Sequence, residues 1–321
     1  MKLFSFFKRL KNGTVCERVW EIKSAKLAVN YKKQEQLKKR YQLYQLSNLS
    51  NIYYTEWYQN YQRLKREYAS VLEEELGEVA LAEPSNKIWI CWFQGMEGAP
   101  EIVKACVKSV EEQFPDREIV LLTQENILQY VTLPPEVEEK VGKEISLTHY
   151  SDILRAALLT KYGGLWLDAT TYCTSAKFLH EIEKLPLFAY QNVDMMRRGF
   201  HPIVAESWMI YANSNQPILL LTQKLLYTYW KREKTLCNYF LFHLFFSMAC
   251  EKYAQDWAKV PVFSEVPPNI MGFELGNPFE KERWQQLLRM SDFHKLSYKW
   301  SHGDENDPNT IYNHILSGKT E

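Results

Sequence analysis

Residues 161 to 171 read "KYGGLWLDATT". An apolar helix, "SDILRAALLTKY" (151 to 162), runs into Gly163 and Gly164, which fits a glycine C-cap. The strand "LWLDA" follows at once. It ends on one carboxylate, Asp168, with hydroxyls after it at Thr170 and Thr171. A helix that feeds directly into a buried strand is the repeating unit of an α/β sheet, so this stretch decides the fold class.

The flanks agree. "KIWICWF" from residue 87 is a continuous apolar run, the pattern of a strand covered on both faces. "APEIVKACVKSVEEQF" follows as an amphipathic helix stopped by Pro115, and "EIVLLT" (118 to 123) as a second buried strand. "QENILQYV" and "PPEVEEKVG" read as short helices. Beyond residue 175, "FAYQNVDM" reads as a further strand. "AESWMIYANSNQPILLLTQKLLYTYWKREKT" reads as a strand, a turn at 215 to 217 and a helix. "YFLFHLFF" and "EKERWQQLLRM" are helices. The expectation is an α/β fold with a mostly parallel sheet over residues 85 to 300. In such sheets ligands bind at the carboxyl ends of the strands, where Asp168 stands.

Residues 1 to 84 read as a separate helical region, and "SHGDENDPNT" within 301 to 321 as a polar tail. Trp57, Tyr61, Leu64, Tyr68 and Val71 recur on one helix face. Residues 1 to 70 carry 15 Lys/Arg against 5 Asp/Glu, although the whole chain balances at 39 of each. That basic segment is read either as docking on an anionic membrane surface or a partner, or as a helical hairpin packed on the main domain. The six cysteines show no metal spacing, the apolar run in "MKLFSFFKRL" reads as too short for a secretory leader, and the longest apolar run has 12 residues. A membrane span needs about 20. The expected compartment is the cytoplasm, with reduced thiols. GxGxxG, GxxxxGK[ST], GxSxG and HExxH are all missing, which argues against dinucleotide, P-loop, serine hydrolase and zincin chemistry.

Asp152 and Arg155 are three residues apart on one face of an otherwise apolar helix. They form either a structural ion pair or a site for hydroxyls and phosphates. Asp168 alone reads as a turn cap as readily as a site residue. Hard divalent cations take oxygen ligands and share their shell with waters and phosphates, so one or two protein oxygens suffice beside a diphosphate.

The compound stretch "SDILRAALLTKYGGLWLDATT" resembles the donor-binding core of bacterial capsular polysaccharide synthesis proteins. These are similar to glycosyltransferases with a DxD sugar-binding region, the glucosylating clostridial toxins among them. The resemblance extends to "KIWICWFQGMEGAPEIVKACVKSV", "ESWMIYANSNQPI", "YFLFH" and "HKLSYK" and covers residues 87 to 300. It implies a GT-A fold, a nucleotide-sugar donor with uridine diphosphate preferred, and Mn²⁺ or Mg²⁺ as cofactor. The implied donor-binding residues are Trp92 on the base, Gln94, Gly95, Asp152, Arg155, Gly164 and Trp208. Asp152, Arg155 and Asp168 would be the catalytic set. Asp168 matches the first aspartate of DxD; Thr170 stands in place of the second. The metal set would be Asp168, Thr170 and His294, with His302 as an alternative to His294. His243, beside Asn238, is either a core residue or an acceptor-side residue, and Glu206 and Ser207 line either the sugar site or the core.

The function implied is transfer of one sugar to a growing surface or capsular glycan, lipid-linked, at the inner face of the membrane. No nucleic-acid partner is expected. The missing second aspartate motivates a different class, a non-catalytic scaffold subunit of capsule assembly.

Overall fold

The computed structural model describes residues 49–77, 84–193, 202–299 and 307–318, with side chains from residue 57 onward. Cys16, His302 and the basic segment up to residue 48 lie outside these residues, and with them the membrane-docking expectation. Among the described residues no helix is long and apolar enough to cross a membrane.

Five strands form the central sheet: β1 (Lys87–Cys91), β2 (Glu118–Leu122), β3 (Gly164–Asp168), β5 (Leu187–Gln191) and β6 (Ala205–Ala212). A separate two-stranded ribbon pairs β4 (Thr171–Cys173) with β7 (Phe293–Lys295). The order of the large sheet is β2-β1-β3-β6-β5. β1 pairs in parallel with β2 and β3, while β6 runs antiparallel to β3 and β5. Four of the five strands therefore share a direction, as the alternating pattern predicts. Trp89, Ile90, Trp166 and Leu167 are at most 1% exposed, which is why these strands read as apolar runs without alternation.

The decisive helix spans Leu147–Tyr162 and starts earlier than the apolar run, because Ser146 caps it by accepting from the His149 backbone N–H at 3.4 Å. Gly163 closes it at φ 66°. Gly164, the next residue, begins β3 at φ 98°, and a Cβ built on it would lie 2.4 Å from the Lys87 carbonyl oxygen of β1. A side chain there would force two central strands apart. Gly164→Ala is expected to cost about 2–3 kcal/mol, the sum of left-handed strain and a steric shift, measurable by urea denaturation.

The helical face foreseen in the first region is packed on the main body. Tyr61, Leu64, Tyr68 and Val71 are buried. The Trp57 ring meets Phe240 at 4.8 Å and Tyr68 meets Phe245 at 5.4 Å. The Tyr61 hydroxyl and the Lys65 ammonium both bond Glu251. The described part of residues 1 to 84, the helix Leu49–Glu67 and the short helix Ala69–Glu73, is thus continuous with the main core. The expected tail likewise contains a packed helix, Ile311–Leu316. Thr310 caps it, and the His314 ring stacks on Phe279 at 3.8 Å. The apolar Ile311 and Ile315 hold it down, a signal of two residues that the polar run before them hides.

Candidate active site

Parallel pairing brings the carboxyl ends of β1 and β3 to one level, with Cys91 opposite Asp168. Above them opens a cavity of about 730 Å³. Trp92 and Gln94 reach it from the loop after β1, Asp152 and Arg155 from the helix, Asp168 from β3, and Lys295 from β7. Ser207, on antiparallel β6, and His243, on the Leu241–Lys252 helix, add to its wall.

A chain of ion pairs, with a histidine at one end, runs through the floor. His149 Nδ1 lies 3.5 Å from Asp152 Oδ2. Arg155 donates to Asp152 through Nη1, and through Nη2 to Asp168 Oδ1 at 3.1 Å. Lys295 Nζ donates to Asp168 Oδ2 at 2.7 Å and to Thr170 Oγ1 at 2.8 Å. The Trp166 indole N–H also donates to Asp168, at 3.1 Å. The guanidinium of Arg155, 3% exposed, is held between the rings of Trp166 and Phe242 at 4.8 and 5.2 Å. Its planar fork suits two carboxylates at once.

The turn after β3 explains the two threonines. It leads into β4, whose Thr171 pairs with Lys295, and the Thr170 carbonyl accepts from the Leu296 backbone N–H at 2.8 Å. This pairing delivers an ammonium from 127 residues away onto Asp168.

Burial would raise the Asp168 pKa, but Lys295 and Arg155, with hydrogen bonds from Lys295 and Trp166, hold its carboxyl well below the usual carboxylate range. Burial pushes the Asp152 carboxyl up, against the pull of Arg155 and His243. Burial lowers His243 to about 4, with Asp152 pulling the other way, so its imidazole is neutral at pH 7. Cys91 also borders the cavity, but burial pushes its thiol up to about 12, which leaves no thiolate for nucleophilic work.

Several expected site residues stand elsewhere. Gly164 is at the opposite end of β3 from Asp168, about 13 Å away at strand rise, and its role is the close approach to β1. Trp208 is buried and stacks on Tyr190 at 5.2 Å; Glu206 and Trp208 flank the one residue of that trio, Ser207, that borders the cavity. Gly95 forms the turn beneath Gln94, donating to the Trp92 carbonyl at 3.0 Å. Asn238 is buried and caps Phe240.

His294 is fully buried, with Nε2 3.5 Å from Thr174 Oγ1, and strand alternation turns it away from the face that carries Lys295. Burial lowers its pKa to about 3. It is neutral in the folded chain and charged in the unfolded one below pH 6.5, so its contribution is complete above that pH and is lost as pH falls towards 3. The stability advantage of wild type over His294→Gln should therefore shrink by about 2 kcal/mol between pH 7 and pH 5, read from paired urea curves.

A divalent ion at Asp168 and Thr170 does not fit the residues present. Both Asp168 oxygens already accept from cations, and Lys295 also takes Thr170. Among the described residues no group of three His, Cys, Asp or Glu side chains is placed to hold a metal.

Sequence reasoning missed His149, Lys295, Tyr298 and Lys299. The last three come from "HKLSYK", where the histidine drew attention and its neighbour carries the contact. Tyr298 meets Trp92 edge to face at 5.3 Å and borders the same cavity, as does Lys299.

A family described as capsular polysaccharide synthesis protein matches residues 28–315. Among solved structures, one described as PaToxG glycosyltransferase covers 84% of this chain and 97% of its own. Its identity is 13% and its TM-score 0.34, too low to argue from. No curated protein matches the sequence.

Proposed function

The chain belongs to the capsular polysaccharide synthesis protein family, and from that premise we propose that it is a glycosyltransferase using a nucleotide-sugar donor. The acceptor in this reading is a growing surface glycan, lipid-linked or free. The observation that carries it is the cavity at the ends of β1 and β3, which joins an aromatic wall to a charged floor. Trp92 and Tyr298 offer ring faces and edges to a flat base. Arg155, Lys295 and Lys299 offer three cations against the carboxylates of Asp152 and Asp168, an excess that favours an anionic ligand such as a diphosphate.

In the transfer, the bond from the anomeric carbon to the diphosphate oxygen breaks, and its electron pair stays with the diphosphate. The acceptor oxygen bonds that carbon and releases its proton to water. Positive charge grows on the sugar, and negative charge on the leaving group is met by fixed cations. Asp152 and Asp168 hold those cations in place and present oxygens to sugar or ribose hydroxyls. Binding energy spent on these contacts orients the donor.

The test is calorimetry and hydrolysis across a panel of nucleotide sugars. Binding and slow turnover of one donor are expected. Silence across the panel, with stability and partner binding intact, would move the chain to the scaffold class. Trp92→Ala should weaken binding of the preferred nucleoside diphosphate by about tenfold to a hundredfold, the range of one base–aromatic stack. An unchanged affinity would take the base away from this wall.

A further inference from the structure

We propose that the Lys295 ammonium occupies the cation position of this site, so that the chain binds its donor's diphosphate without a divalent metal. This inference rests on the donor reading above. Its first support is identity of place. Asp168 and Thr170 are the two positions that the DxD resemblance assigns to a metal, and they are the two side chains that Lys295 joins, at 2.7 and 2.8 Å. A threonine hydroxyl is a weak ligand for a hard cation beside a carboxylate, but a good acceptor for an ammonium N–H.

The second support is how firmly the lysine is delivered. Its strand is tied to β4 on one side. On the other, the helix Val266–Glu274 passes so close that a Cβ built on Gly272 would lie 2.4 Å from the Lys295 carbonyl oxygen. The backbone that carries Lys295 is thus clamped between two elements, and its side chain is only 23% exposed. This is a built position, unlike that of a surface lysine free to swing away.

The third support is what remains unused. An ammonium has three N–H donors. Asp168 and Thr170 take two, and among the described residues no acceptor takes the third, while Lys295 borders the cavity. A diphosphate entering there meets a donor already oriented by a carboxylate. Lys299 stands four residues along the same segment and borders the same space. Two ammonium groups carry together the charge of one divalent ion. When the anomeric bond breaks, the extra negative charge on the diphosphate forms against them. A metal in the same place would first have to displace Lys295 from both oxygens and then sit beside Arg155, 3.1 Å from Asp168. Two cations sharing one carboxylate oppose each other strongly in a partly buried site.

The experiment uses the full chain and the nucleoside diphosphates UDP, GDP, ADP and CDP as probes, each titrated calorimetrically in EDTA and again in Mn²⁺. The wild type is expected to bind in EDTA with an affinity within threefold of that in Mn²⁺. Lys295→Met should weaken binding in EDTA by about thirtyfold or more, and Lys295→Arg by less than tenfold. Thermal melts confirm that both variants fold, and the wild-type comparison stands whether or not they do. Binding by wild type that appears only with Mn²⁺ overturns the inference while leaving the donor reading intact. So does undiminished affinity in a folded Lys295→Met. No binding of any nucleoside diphosphate under either condition overturns the donor reading, and this inference with it.

Discussion

Asp168→Asn is expected to lower turnover of the preferred donor by about 10²–10³-fold while leaving the chain folded. The substitution keeps the shape and the acceptor oxygen but removes the charge that orients two cations. Arg155 retains Asp152 as a partner; Lys295 retains only Thr170. Both would then relax away from the geometry that meets the leaving group, and losing one such preorganised contact typically costs that factor. A second signature separates this from a plain packing defect. Asp168 is held well below its ordinary value of 3.8 by Lys295 and Arg155, against the opposing effect of burial. Its stabilising contribution is therefore complete above about pH 4 and is lost as pH falls further. The stability advantage of wild type over the variant should be constant from pH 8 to pH 5 and should decline below pH 4. Turnover within a factor of three of wild type would remove Asp168 from the reaction. A stability gap independent of acid would remove the charge argument.

What the sequence made legible was what short-range pattern controls. The apolar runs "KIWIC", "EIVLL" and "GLWLD" became β1, β2 and β3 because strands buried on both faces leave no polar alternation to misread. Asp152, Arg155 and Asp168 were visible because carboxylates and a guanidinium in apolar surroundings demand a partner, and here they are each other's. Gly164 was misassigned for a physical reason. A glycine beside a functional aspartate reads as a ligand approach, but the crowding it relieves is with the neighbouring strand, which no local pattern encodes. In "HKLSYK" the histidine stands out because histidine is the commoner metal ligand, whereas the two-residue period of β7 turns Lys295 to the cavity and His294 to the core. That register depends on pairing with β4, more than a hundred residues upstream, and nothing local to either segment declares it. Trp208 went to the core, stacked on Tyr190.

Arg155→Met is expected to destabilise the chain by about 3–5 kcal/mol, the usual cost of leaving a buried charge without its partner. The Tm should fall by roughly 6–20 °C on the scale of a domain this size. Methionine preserves the bulk between Trp166 and Phe242, so the cavity term is small and the loss is electrostatic. Two carboxylates would face each other across the vacated guanidinium. Asp168 still has Lys295 and Trp166. Asp152 would keep His149, 3.5 Å away. Burial already pushes Asp152 up, and without Arg155 it would rise further and take a proton in the folded state. A carboxyl raised above its unfolded value stabilises fully at low pH and loses that contribution as pH rises. The penalty of Arg155→Met should therefore be largest near pH 7 and shrink towards pH 4, in the same direction as the Asp168→Asn gap but beginning at a higher pH. Asp152→Asn added to Arg155→Met should recover part of the loss, because it removes the uncompensated charge, and the coupling between the two sites would be read from the double-mutant cycle. Arg155→Lys should not substitute, since one ammonium lacks the fork that spans both carboxylates. A folded Arg155→Met that melts within 2 °C of wild type at pH 7, with no recovery in the double variant, would show that the network binds a ligand without holding the fold.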